Sequence, residues 1–196
     1  AGGKGANLGE MTKAGFNVPN GFIITSHAYY DFIRENNLST KISHLLSTAD
    51  INNSKSLNQV SSHIKKQIID GKLSDDLIKE VVSGYNKLGN LFKDCLVAVR
   101  SSATAEDLPG ASFAGQQETF LNVKGDAVLL EKIKQGWASL FNERAIFYRH
   151  QQKFDKVKIG IALVVQKMVE SEKSGVMFTI DPVTNDKSKV VIEAIY

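Results

Sequence analysis

One cysteine, three prolines and one tryptophan stand among the 196 residues. With Cys95 alone, no disulfide can close within the chain, which excludes the small disulfide-stapled scaffolds and suits a reducing compartment. Cys95 lies in the apolar run Cys95-Leu96-Val97-Ala98-Val99, where it reads as a small hydrophobe and not as a nucleophile. No apolar run approaches the roughly 20 residues of a membrane helix, and the first residues lack the charged-then-apolar order of a secretion signal. A cytoplasmic protein without a membrane partner is the expectation. Charge of one sign is scarce too: 24 Lys and Arg face 21 Asp and Glu, a formal net charge of +3. The signs are interspersed, so no basic stripe calls for nucleic acid. His27, His44, His63 and His150 are scattered, with neither metal-ligand spacing nor the makings of a Ser-His-Asp triad.

What is present is an ordinary globular composition, 42% hydrophobic and 23% charged. Glycines at 2, 3 and 5 predict a turn that feeds a helix over 6–13, with Gly15 as its stop and Pro19 beyond. A short strand is expected at 22–25, then a helix capped by Ser26 with Ala28, Tyr29, Phe32 and Ile33 at helical spacing. The stretch 38–88 reads as a helical subdomain, broken at 50–54. A mixed α/β lobe over 96–196 follows: a buried strand at 96–99, a polar loop at 100–107, and a strand at 118–123. A helix then opens at Asp126, carrying Leu129, Ile133 and the core anchor Trp137, with a second helix capped by Asn142. Strands at 161–169, 175–180 and 189–196 predict a closing antiparallel hairpin or meander. Helices and strands are partly segregated, which favours α+β. Both ends look cut, so the chain is expected to be a piece of something longer.

Three segments offer what a phosphate chain requires: positive charge, closely approaching backbone N–H groups and exclusion of water. Gly2-Gly3-Lys4-Gly5 sets a lysine among glycines before a helix, where the dipole favours an anion; the alternative is a plain Gly-rich turn, since the P-loop spacing is absent. Arg100 follows an apolar strand and precedes Ser101, Ser102 and Thr104. Its forked donors suit phosphate oxygens, or else an ion pair with Glu106 or Asp107. The glycine-bounded loop through Gly115, with Phe113 inside it, reads as a lid or as an ordinary surface loop. Gln166 interrupts an apolar strand with an amide that both donates and accepts, which fits the edge of an adenine or a solvent-facing position.

Taken together, these segments resemble a known family. The stretches Gly2-Gly3-Lys4-Gly5-Ala6-Asn7-Leu8-Gly9-Glu10-Met11, Ala98-Val99-Arg100-Ser101-Ser102-Ala103-Thr104-Ala105-Glu106-Asp107, Ala111-Ser112-Phe113-Ala114-Gly115-Gln116-Gln117-Glu118-Thr119, Trp137-Ala138-Ser139-Leu140-Phe141 and Gly175-Val176-Met177-Phe178 carry the likeness. They are similar to the ATP-binding domain of the pyruvate, water and pyruvate, phosphate dikinases, and the loop around Gly115 is nearer the water-dikinase, or phosphoenolpyruvate synthase, branch. The resemblance implies the first part of an ATP-grasp-like fold that binds ATP. It assigns Lys4 and Arg100 to the phosphates, with Arg100 catalytic, Gly115 and Thr119 to the loop and strand beside them, and Gln166 to the adenine side. It further implies Mg²⁺, whose ligands are expected beyond this chain, and transfer of a phosphoryl group to a histidine on another domain that serves pyruvate; no histidine here matches that one. Rifampicin phosphotransferase shares nearly the same loop and is the alternative enzyme. A non-catalytic nucleotide-binding module is the alternative of another class.

Overall fold

The computed structural model describes residues 2–89, 95–103, 118–151 and 160–196. Its centre is a four-stranded antiparallel sheet in the order β1-β4-β2-β3, built from β1 (Gly21–Ile24), β2 (Val97–Ala103), β3 (Thr119–Val123) and β4 (Ile161–Lys167). Helices account for most of the rest, so the chain is α+β.

Alternation along the strands divides the sheet into two unlike faces. Val97, Val99, Ile161, Leu163 and Val165 point to one side and are buried. There they meet α6 (Asp126–Ala138): a Cβ added to Gly136 of this helix would stand 2.8 Å from a methyl of Leu163. The same core takes in α2 (Ser26–Glu35), α4 (Ser54–Asp70) and α5 (Asp75–Leu88). Trp137 anchors it with no exposed surface, its ring centroid 4.9 Å from Phe32 and 6.1 Å from Tyr29. α3 (Leu38–Ser47), the 3₁₀ turn Ser139–Phe141 and α7 (Glu143–Gln151) close the helical side. Tyr85 of α5 ties that side to the strands, donating to the Cys95 carbonyl at 2.7 Å and accepting from the Gly125 N–H at 2.9 Å.

The other face is floored by small residues, Ala98, Ser102, Ala162 and Val164, all buried. α1 (Gly2–Lys13) lies upon it. Here the structure departs from the sequence-based expectation, because the Gly-rich segment is itself the first turn of the helix. Glycine's poor helix propensity argues for a turn, but close packing on the small-residue floor, which buries Gly5, outweighs it.

Two further departures have long-range causes. β2 continues through Arg100, Ser101 and Ser102 to Ala103, where a loop was expected from 100. The seven-residue ladder with β4, from Val97↔Lys167 to Ala103↔Ile161, holds these polar residues in the sheet. β4 does not join a terminal meander; it lies between β1 and β2. The last two strands, β5 (Ser174–Phe178) and β6 (Val191–Ile195), pair with each other in a separate antiparallel hairpin. A smaller correction concerns α2, where Thr25 takes the cap position and Ser26 begins the helix. Among the described residues, no helix is long and apolar enough to cross a membrane.

Candidate functional site

Antiparallel register decides which side chains share a face, since directly opposed residues project to the same side. Arg100 of β2 stands opposite Val164 of β4 and opposite Thr119 of β3. Gln166 stands opposite Ala98 and, across β1, opposite Gly21. Arg100, Thr119 and Gln166 are therefore all on the face that α1 partly covers. Lys4, in the first turn of α1, donates from Nζ to the Ser101 carbonyl at 3.2 Å, one residue from Arg100. Four of the five residues singled out from the sequence thus meet on one side of one sheet, although the chain separates the first from the last by more than 160 positions. Gly115 and the loop around it lie outside the described residues, as do Thr104, Glu106 and Asp107. The expected lid and the alternative ion pair of Arg100 therefore fall outside the described residues.

Local structure explains each placement. Arg100 is half-buried in the middle of β2, not at a loose strand end, so its backbone is held by the sheet and its side chain projects to the α1 face. Thr119 is exposed at the start of β3. The hydroxyl of Ser101 is not available on the α1 side: it projects to the opposite face and donates to the Glu118 carbonyl at 3.0 Å, beside the Ser101 N–H bond to the same oxygen at 3.1 Å. Of the three hydroxyl residues that follow Arg100 in sequence, Ser102 is the one that the described structure turns toward α1.

Gln166 borders a crevice of about 150 Å³ between α1 and the sheet, with Leu8, Pro19, Gly21 and Val164 among its walls. Its Nε2 donates to the Pro19 carbonyl at 3.1 Å, and the Lys167 N–H donates to the Asn20 carbonyl at 2.8 Å. Together these bonds pin the turn before β1 against the end of β4. Gly21 is required there, since a Cβ would stand 2.5 Å from the Val165 carbonyl oxygen. The crevice mixes apolar side chains such as Leu8 and Val164 with polar surface that includes the Gln166 amide at its edge, an arrangement that suits a flat heteroaromatic ring.

The face as a whole is cationic at one end and apolar at the other, which suits an amphiphilic anion. It does not suit a divalent cation. Lys4 and Arg100 would oppose one, and among the described residues no group of three or more His, Cys, Asp or Glu side chains is arranged to hold a metal ion.

Comparison with known proteins supplies the family. The model of the pyruvate phosphate dikinase AMP/ATP-binding domain matches residues 1–196. A probable phosphoenolpyruvate synthase of Methanocaldococcus jannaschii is 49% identical over 196 residues, which is 99% of this chain and 16% of that protein. Another from Archaeoglobus fulgidus is 49% identical over 196 residues, 100% of this chain and 26% of that protein. The phosphoenolpyruvate synthase of Aeropyrum pernix is 48% identical over 198 residues, 100% of this chain and 24% of that protein. The chain therefore spans between 16% and 26% of the length of these relatives.

Proposed function

The chain belongs to the family of pyruvate phosphate dikinase AMP/ATP-binding domains, and we propose that it binds ATP on the α1-covered face of its sheet and serves there as the phosphoryl donor site of a phosphoenolpyruvate synthase. The whole reaction would convert ATP, pyruvate and water to AMP, phosphoenolpyruvate and phosphate, by way of a phosphohistidine on a different domain. The fold would be the first part of an ATP-grasp-like clamp, with 38–88 as its helical subdomain and 96–196 as its mixed lobe. The names of the relatives favour pyruvate over rifampicin as the final acceptor, and an enzyme over a passive nucleotide-binding module.

The single observation that carries the binding reading is the common face. A triphosphate lying along it would meet Lys4 and Arg100 at its charged end, with Thr119 beside Arg100, and would reach the Gln166 crevice with its base. Lys4 acts as a point charge. Arg100 offers a planar fork of donors that can follow charge as it builds on the transferring phosphoryl group, and so carries the catalytic role. Phosphoryl transfer asks for positioned cations more than for covalent chemistry from the protein, and two cations, one on a helix and one on a strand, answer that need. The described residues do not fit Mg²⁺, and its ligands are proposed to lie outside residues 1–196.

The test is to assay the intact protein that carries this chain for AMP and phosphoenolpyruvate formation from ATP and pyruvate. AMP formation that requires pyruvate supports the reading. Phosphorylation of rifampicin without pyruvate turnover, or ATP binding with no turnover at all, overturns it.

A further inference from the structure

We propose that the Ser102 hydroxyl is a ligand-contacting group of this same face, a donor to a phosphate oxygen held at the first turn of α1; the inference rests on the nucleotide reading above and adds a residue to it. Ser102 has no exposed surface, and its Oγ has no hydrogen-bond partner among the described residues. A buried hydroxyl left unpaired costs stability, whereas an alanine of nearly the same shape would fill the position without that cost. Folding of the empty protein gives the hydroxyl no use. The adjacent Ser101 shows that β2 can satisfy a serine where one is needed, through the Glu118 carbonyl.

The unpaired oxygen is aimed at one place. A Cβ built on Gly2 would collide with Ser102 Oγ and stand 2.7 Å from the Ser102 carbonyl oxygen. Only a residue without a side chain can lie there, and Gly2 does so with φ at +71°, a conformation open to glycine. The contact joins Ser102 to the N-terminus of a twelve-residue helix. The first amides of a helix have no intrahelical carbonyl to bond, and its dipole favours negative charge at that end. Lys4 sits in the same turn, and Arg100 lies two residues before Ser102 on the same face. An unpaired buried donor, a helix N-terminus, a lysine and an arginine therefore converge, and the group that answers all four is a phosphate.

Gly2 covers Ser102 Oγ in the empty protein, so contact requires the first turn of α1 to ride up from β2. Lifting that turn gives up the burial of Gly5 and the Lys4 bond to the Ser101 carbonyl, and pairing the Ser102 hydroxyl with the ligand offsets part of that cost.

Binding of ATP and of adenosine to the intact protein, measured by titration calorimetry alongside the melting temperature without ligand, tests this for wild type, Ser102→Ala and Arg100→Ala. Ser102→Ala is expected to weaken ATP about tenfold, the worth of one hydrogen bond to a charged group. It should leave adenosine binding unchanged and leave the unliganded melting temperature equal or higher. ATP affinity unchanged in Ser102→Ala, equal weakening of ATP and adenosine, or a lowered unliganded melting temperature would each overturn the proposal. If Arg100→Ala binds ATP as wild type does, the nucleotide reading itself fails. If Arg100→Ala loses ATP and Ser102→Ala does not, only the role of Ser102 fails.

Discussion

Replacing Gln166 by leucine removes an amide while keeping much of the side chain's bulk, so it separates hydrogen bonding from packing. Gln166 Nε2 donates one of its two N–H groups to the Pro19 carbonyl at 3.1 Å, which fixes the orientation of the amide and sets Oε1 as the acceptor that a ligand in the crevice would meet. An acceptor at that point matches the exocyclic amine of adenine and opposes the carbonyl of guanine. One net hydrogen bond is worth about 0.5–1.5 kcal/mol, so Gln166→Leu should weaken ATP by roughly 2- to 13-fold. GTP is at the same time relieved of a mismatched polar pair worth about 1–3 kcal/mol, so the preference for ATP over GTP should fall by about tenfold or more. The bond to Pro19 is solvent-exposed, and its loss should lower stability by less than about 1 kcal/mol. Calorimetric affinities for both nucleotides on wild type and variant supply the measurement. An unchanged ATP affinity, or an equal loss for ATP and GTP, would refute the reasoning.

Arg100→Lys keeps the charge but loses the planar fork, and should cost turnover far more than ATP affinity, whereas Lys4→Arg should be tolerated better than Lys4→Ala; steady-state kinetics with direct binding separates the two effects. Trp137→Ala should destabilise by about 3–5 kcal/mol because a fully buried ring is lost. Trp137→Phe should cost less than about 1.5 kcal/mol, since the indole N–H that it deletes has no partner among the described residues; denaturant unfolding reads both. In the turn before β6, the Thr184 hydroxyl and the N–H groups of Val183 and Thr184 hold Asp181 below its ordinary value of 3.8, and the hydroxyl and N–H of Ser188 do the same for Asp186, with Lys189. Lowered carboxylates stabilise the turn above 3.8 and lose that contribution as pH falls through their lower folded values. Amide exchange at Val183, Thr184 and Ser188 should therefore quicken only below about pH 4, and exchange that quickened on raising the pH to 6 beyond its intrinsic rate would contradict this.

Local periodicity made α2 and α6 legible, along with the burial of Trp137, because their apolar residues recur at helical spacing and packing agrees with that pattern. The first turn of α1 was not legible. Three glycines argue locally for a turn, and the small-residue floor that makes a helix of them is assembled from strands nearly a hundred residues further on. Arg100-Ser101-Ser102 failed for a related reason: serines carry no strand signal, and the partner that keeps them in the sheet is β4, more than fifty residues away. The residue types of the candidate site were visible in the sequence, but their common face was not, since it depends on the registers of β1, β2 and β3. That Ser101 is spent on a carbonyl while Ser102 is unpaired cannot be read from two adjacent identical letters.

One triphosphate is proposed to lie across the α1-covered face of the sheet. A crystal structure of the intact protein with a non-hydrolysable ATP analogue tests it most directly. Phosphate oxygens are expected within hydrogen-bonding distance of both Lys4 Nζ and the Arg100 guanidinium, with the base in the crevice beside Gln166. An analogue bound on the α6 side of the sheet, or one whose phosphates touch neither cation, would contradict it.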